Sequence, residues 1–223
     1  EDEGYDAQVE NRTDETAMLA VQGPDAAEAA RGAGAAVGDL PRFDWKTTRL
    51  GDVPAFVSRT GYTGEEGFEF VVDADDAAEA WNAFEATPCG LGARDTLRIE
   101  MGFLLAGHEF SDDNPRTPYE AGIGFVVAPE TGFVGSDALR DAEPDERLVG
   151  FRLEERTVPR KGYAVRVDGE RVGEVTSGTV SPTLDEPVGM AYVPVEYADE
   201  GTNIEVVVRG ESKHGSIEEP PFV

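Results

Sequence analysis

Ser58-Arg59-Thr60-Gly61-Tyr62-Thr63-Gly64-Glu65-Glu66-Gly67-Phe68-Glu69-Phe70 sets three glycines, one tyrosine and three carboxylates between two apolar runs. Past Gly67 the residues alternate: Phe68, Phe70 and Val72 fall on one face of an extended strand, Glu69 and Val71 on the other. Immediately upstream, Lys46 to Leu50 and Val53 to Ser58 flank Gly51-Asp52 and predict a hairpin. The quoted stretch is therefore a glycine-rich turn that delivers the chain into a further strand.

Reading outward toward the start, Ala17 to Gln22 is a buried strand stopped by Gly23-Pro24, and Asp25 is placed to cap a short alanine-rich helix. Gly32 to Ala36 reads as a loop. In the other direction, Asp73 or Asp75 caps a helix to about Ala86 on which Ala77, Ala80, Trp81 and Phe84 share a face. Thr87-Pro88-Cys89-Gly90 ends it, and a second helix covers Ala93 to Met101, ahead of the polar loop Ser111 to Pro115. This mixture predicts an α+β region over residues 1–145. Beyond Pro144 the pattern turns to short strands at 148–153, 163–167, 171–176, 188–193 and 204–208, with Asp168-Gly169 as a hairpin turn. Residues 146–223 are thus expected to form a small β-barrel or jelly roll.

Charge is the strongest global signal. The 223 residues carry 46 Asp and Glu against 19 Lys and Arg, a net charge of -27, and the only lysines are Lys46, Lys161 and Lys213. Such a surface repels nucleic acid and anionic membranes. The acidic residues recur singly or in short groups rather than as a tail, so they coat a fold; salt screens their mutual repulsion, which points to a salt-rich cytoplasm. A single cysteine, Cys89, excludes an internal disulfide, and Cys/His clusters at metal-ligand spacing are absent, so no metal is expected. No apolar run is long enough to span a bilayer as a helix. The opening Glu1-Asp2-Glu3-Gly4-Tyr5-Asp6-Ala7 shows no recognisable start of a domain, which reads as the mark of a fragment.

Glu69 is the candidate with the sharpest chemistry. A carboxylate on a mostly buried strand, beside an apolar neighbour, needs a donor-rich partner, because desolvating it alone is costly. Two readings stay open. Arg94 or Arg98 on the following helix would make an ordinary ion pair, or a ligand presenting two adjacent N–H groups would be held bidentately, as the amino-oxo edge of a pterin or guanine would be. Tyr62, in the turn, either lays its ring against such a ligand or packs on the hairpin.

Six strings carry a resemblance: "SRTGYTGEEGFEF", "GLGARDTLRIEMG", "TPYEAGIGFVV", "RLVGF", "VGEVTSGTVSPTL" and "VGMAYVP". In this order and at this spacing, from about Val9 to the end, they resemble the aminomethyltransferase, or T-protein, family of the glycine cleavage system. The resemblance implies a folate-binding region, incomplete at its N-terminus, followed by a C-terminal β-barrel. It also implies transfer of the methylene carbon from an aminomethyl-lipoyl H-protein to tetrahydrofolate, with release of ammonia, in the cytoplasm. Carried over, Tyr62, Glu69 and Arg94 are the folate contacts. The family's acidic catalytic residue lies in an N-terminal segment that nothing here matches, so no catalytic residue is expected in this chain and the isolated chain is expected to be inactive. Related folate-dependent demethylases, sarcosine or dimethylglycine oxidoreductase domains, and a non-catalytic folate-binding fragment are the alternatives.

The other singled-out residues have plainer expectations. Asp95 reads as a helix-end hydrogen-bond acceptor, Cys89 as a small buried filler, His108 as a loop residue and His214 as a solvent-exposed tail residue. Phe125 replaces a tryptophan frequent in the family, and Arg160-Lys161 is a basic pair suited to an anionic folate tail or an acidic carrier.

Overall fold

The computed structural model describes residues 8–223, so the reading attached to Glu1 through Ala7 lies outside the described residues. The chain divides into two compact units, one ending at Pro88 and the other running from Cys89 to Val223. The segment 89–145, with its helix and loops, thus groups with the strands that follow it.

In the first unit, β1 (Thr16–Gln22), β2 (Trp45–Leu50), β3 (Val53–Ser58) and β4 (Gly67–Asp73) form an antiparallel sheet in the order β1-β4-β3-β2. The helices α1 (Ala26–Gly32) and α2 (Ala77–Asn82) pack on one face against β1 and β4. That face holds the core: Leu19, Val57, Phe70 and Val72 are buried together with Ala26, Ala30 and Ala80. Each large apolar side chain buried in this way contributes about 1.5–3 kcal/mol. The alternation predicted for β4 is present, with Phe68, Phe70 and Val72 buried and Glu69 and Val71 half-buried on the opposite face.

Two details of this unit differ from the sequence expectation. Asp25 precedes α1 but its side chain makes no capping bond. The helix α2 stops at Asn82, and Trp81 is exposed rather than core-facing, because Ala80 takes the contact with the sheet and the next residue, a hundred degrees round, turns away from it.

The second unit contains α3 (Leu91–Glu100), the short α4 (Ser136–Arg140) and six strands: β5 (Glu146–Leu153), β6 (Ala164–Val167), β7 (Glu170–Ser181), β8 (Glu186–Pro194), β9 (Asn203–Val208) and β10 (Glu211–Glu218). They close into an antiparallel barrel in the order β10-β5-β8-β7-β6-β9 around Phe151, Val165, Val175, Ala191 and Val206. The hairpin at Asp168-Gly169 has φ of 51° and 81°, the paired left-handed geometry of a tight two-residue turn. On its outside the barrel receives α3, whose Ile99 packs with Val188 and Met190. The strand β10 is a correction: the segment read as a tail is the element that pairs with both β5 and β9, and His214 is an exposed residue within it. Among the described residues, no helix is long and apolar enough to cross a membrane.

Candidate functional site

The quoted turn is built around the side chain of Gln22, at the end of β1. Its Nε2 donates to the Thr60 carbonyl at 3.1 Å, and its Oε1 accepts from the Thr63 hydroxyl at 2.9 Å. Gly61 and Gly67 lie against the two sides of this amide; a Cβ on either would overlap it. Gly61 and Gly67 thus leave room for the Gln22 amide in the position where it meets the Thr60 carbonyl and the Thr63 hydroxyl.

The three carboxylates of the stretch have different fates. Glu65 is exposed. Glu66 bridges to Arg59, Nη2 to Oε2 at 2.8 Å, and the Arg59 guanidinium holds its carboxyl below the ordinary value. Arg59 also donates to the Leu40 carbonyl at 3.1 Å, so this pair ties the turn to the loop before β2. Glu69 stands apart: among the described residues its carboxylate has no hydrogen-bond or ion-pair partner, and burial pushes it above the usual glutamate value.

Among the described residues of the first unit, what surrounds Glu69 is the face of the sheet opposite α1 and α2. Ala20 and Ser58 lie directly opposite it on β1 and β3, and Val71 is next on its own strand. One register step away are Met18 and Phe56, both paired with Val71, while Trp45 faces Ser58. Trp45 and Phe56 stack with ring centroids 5.0 Å apart, and Met18 and Trp45 are 67% and 61% exposed. A single acceptor-only group is thus centred on an open apolar platform, a combination that suits a flat heterocycle with an N–H edge. Tyr62 is half-buried in the turn that leads into this strand.

Arg94 belongs to the second unit, on α3. Its Nε is buried without a hydrogen-bond partner among the described residues. Arg98, one turn on, is fully engaged elsewhere, which removes it as the ordinary partner considered for Glu69. Its Nε donates to Asp95 at 2.9 Å, Nη1 to Glu109 and the Phe103 carbonyl at 2.9 Å each, and Nη2 to Ser177 at 2.6 Å. Glu109 is completed by the Leu105 N–H at 2.8 Å and the Thr176 hydroxyl at 3.0 Å. This network pins α3, the loop after it and β7 to one another, and so fixes the helix that presents Arg94.

Glu109 is the residue that the sequence did not offer, since it sits in a loop without periodicity and its partners are 11 and 67 residues away. Two expectations are corrected here. Asp95 accepts from the Arg98 side chain inside the helix rather than from a helix-end N–H. Cys89 is exposed, because the turn that separates the units runs over the surface. His108 is indeed in a loop, but its Nδ1 lies 3.3 Å from the Ser177 hydroxyl, at the edge of the buried network. Phe125 is 85% exposed, and Lys161 donates to the Gly107 carbonyl while Arg160 is exposed.

Comparison with known proteins places this arrangement in a family. Residues 1–131 match the GCVT N-terminal domain and residues 146–223 match the glycine cleavage T-protein C-terminal barrel domain. A probable aminomethyltransferase of Halobacterium salinarum is 54% identical over 98% of this chain and 62% of its own length. That of Natronomonas pharaonis is 53% identical over 97% and 62%, and the aminomethyltransferase of Symbiobacterium thermophilum 46% identical over 95% and 60%. The crystal structure of glycine cleavage system aminomethyltransferase T from Bartonella henselae superposes with a TM-score of 0.82 at 34% identity, over 93% of this chain and 60% of that one. The chain therefore spans 60% to 62% of the length of these relatives. With both of its halves matched in order, the chain belongs to the glycine cleavage T-protein family.

Proposed function

We propose that this chain is the folate-holding and barrel part of an aminomethyltransferase that passes a methylene carbon from a lipoyl-bound aminomethyl group to tetrahydrofolate and releases ammonia. The observation that carries the reading is Glu69, a half-buried carboxylate without a partner among the described residues, centred on an open apolar face of the sheet.

In this reading the pterin lies on the platform of Trp45, Phe56 and Met18, and Glu69 accepts two N–H groups from its amino-oxo edge. Tyr62 flanks the ring, and Arg94 is carried over from the resemblance as a further folate contact. Folate N5, held in place, attacks the methylene carbon as the carbon–nitrogen bond to the departing amine breaks, and folate N10 then attacks the same carbon as its bond to the lipoyl sulfur breaks, the N5 proton leaving with ammonia and the N10 proton passing to the thiolate; holding the two reactants together supplies much of the acceleration. The groups of this chain bind and orient, and the acid that protonates the departing amine is assigned to none of them. The donor is the lipoylated H-protein, met in the cytoplasm.

Calorimetric titration of tetrahydrofolate into the chain in molar KCl, beside Glu69→Ala, is the test. Binding that the substitution weakens by about 1.5–3 kcal/mol, roughly ten- to a hundredfold, is the expected result for loss of a charge-assisted pair of hydrogen bonds. Equal affinity in both proteins would remove Glu69 from the site.

A further inference from the structure

The second unit carries a cleft of about 480 Å³, lined by the loop 108–116, by β7 and by Tyr192 of β8. This volume lies within the range of small-molecule sites. Its wall is unusual for so acidic a chain, since Arg116, Lys161 and Arg171 converge on it together with His108. The two carboxylates of the wall are already engaged: Glu146 receives Arg116 at 2.6 Å and Glu174 receives Arg171 at 2.8 Å.

Among the remaining polar groups, two buried donors stand out. Tyr192 is only 4% exposed, and its hydroxyl has no hydrogen-bond partner among the described residues. The Arg116 Nε is likewise buried and without a partner. The Arg116 guanidinium lies 4.0 Å over the Tyr192 ring, so the two form one corner of the wall. Lys161 gives one proton to the Gly107 carbonyl and keeps two, and Arg171 retains further N–H groups. Burial, offset in part by Arg116 and reinforced by the Glu109, Glu120 and Glu146 carboxylates, pushes the Tyr192 phenol up to about 12, so it remains a donor at every physiological pH. A buried hydroxyl left unsatisfied is costly, and an acceptor entering the cleft would satisfy it.

We propose that this cleft binds a small oxyanion, a carboxylate or phosphate group, through Lys161 and Arg171 at its mouth and the Tyr192 hydroxyl and Arg116 Nε in its wall. The lining of the cleft includes none of Glu69, Tyr62 and Arg94, and its occupant is an effector or second ligand rather than the pterin.

Inorganic phosphate and citrate are the probes, each titrated calorimetrically into the 223-residue chain in molar KCl, with a cooperative urea transition confirming the fold of every variant. Submillimolar binding of either is expected, weakened at least tenfold by Lys161→Ala combined with Arg171→Ala. Tyr192→Phe tests the wall: it is expected to weaken binding at least threefold without lowering the unfolding midpoint, whereas a hydroxyl of no functional use would leave affinity unchanged. Phosphate alone binding would assign a phosphate-bearing ligand, and citrate alone a carboxylate. Failure of both probes to bind, or affinities indifferent to all three substitutions, would overturn the proposal.

Discussion

Arg98 and Glu109 face each other at 2.9 Å with no exposed side-chain surface on either. Buried pairs of this kind gain little over an apolar pair, but removing one partner strands a charge in the interior. Glu109→Ala is therefore expected to destabilise the second unit by about 3–5 kcal/mol. The double variant Arg98→Met with Glu109→Leu should lose clearly less than the sum of its single substitutions, as read from urea unfolding of all four proteins. Additivity would show that the two charges do not depend on each other.

Glu69 makes stability depend on pH in an uncommon direction. Its folded carboxyl is raised by burial, so between the ordinary value of 4.5 and the raised one the folded state holds more protons than the unfolded state. Stability from this group is accordingly present below that window and lost as pH rises through it. Glu69→Gln should be more stable than the parent at neutral pH, with the difference vanishing in acid below 4.5.

Folate affinity should follow the opposite trend. A ligand offering N–H groups favours the ionised carboxylate, so binding should strengthen as pH rises through the Glu69 titration and level off above it. Titrations from acid to neutral pH would show this slope in the parent, and Glu69→Gln should flatten it.

The amide of Gln22 and the glycines beside it form a testable unit. Gly61→Ala pushes a methyl into that amide and is expected to cost about 1–3 kcal/mol. In a Gln22→Ala background the same substitution should cost much less, since the atom it strikes is gone. Equal penalties in the two backgrounds would assign the cost to the turn backbone instead.

Salt should govern the whole chain. With a net charge of -27, self-repulsion at low ionic strength is barely screened, the Debye length being about 30 Å at 0.01 M and about 3 Å at 1 M. The circular dichroism midpoint is expected to rise steeply with KCl up to molar concentrations. A midpoint indifferent to salt would mean that the charges are locally compensated.

How much of this was legible in the sequence depended on range. The period of two in Phe68, Glu69, Phe70 and Val71 reports directly which side chain leaves the core, and the hairpin around Gly51-Asp52 is written in adjacent residues. Glu109 was not legible, because its burial is decided by Arg98 and Thr176, which only folding brings to it. The strand β10 was missed for a different reason. Its residues Ser212, Lys213, His214 and Ser216 look like a polar tail, and only Gly215 and Ile217 are buried, too few to register as alternation. That Glu69 lacks a partner among the described residues was not legible either, since a carboxylate left open reads the same in sequence as one held by an arginine.

That last strand also sets when the barrel becomes complete. β10 lies between β5 and β9, so the first strand of the barrel to leave the ribosome keeps one edge unpaired until the last has emerged. During that interval the nascent sheet is an open template for neighbouring chains. Ribosome-arrested chains ending before Glu211 should therefore remain protease-sensitive throughout β5–β9. The charge that burdens the finished fold in dilute buffer is already on the chain while it is being made, and there it keeps half-built neighbours apart.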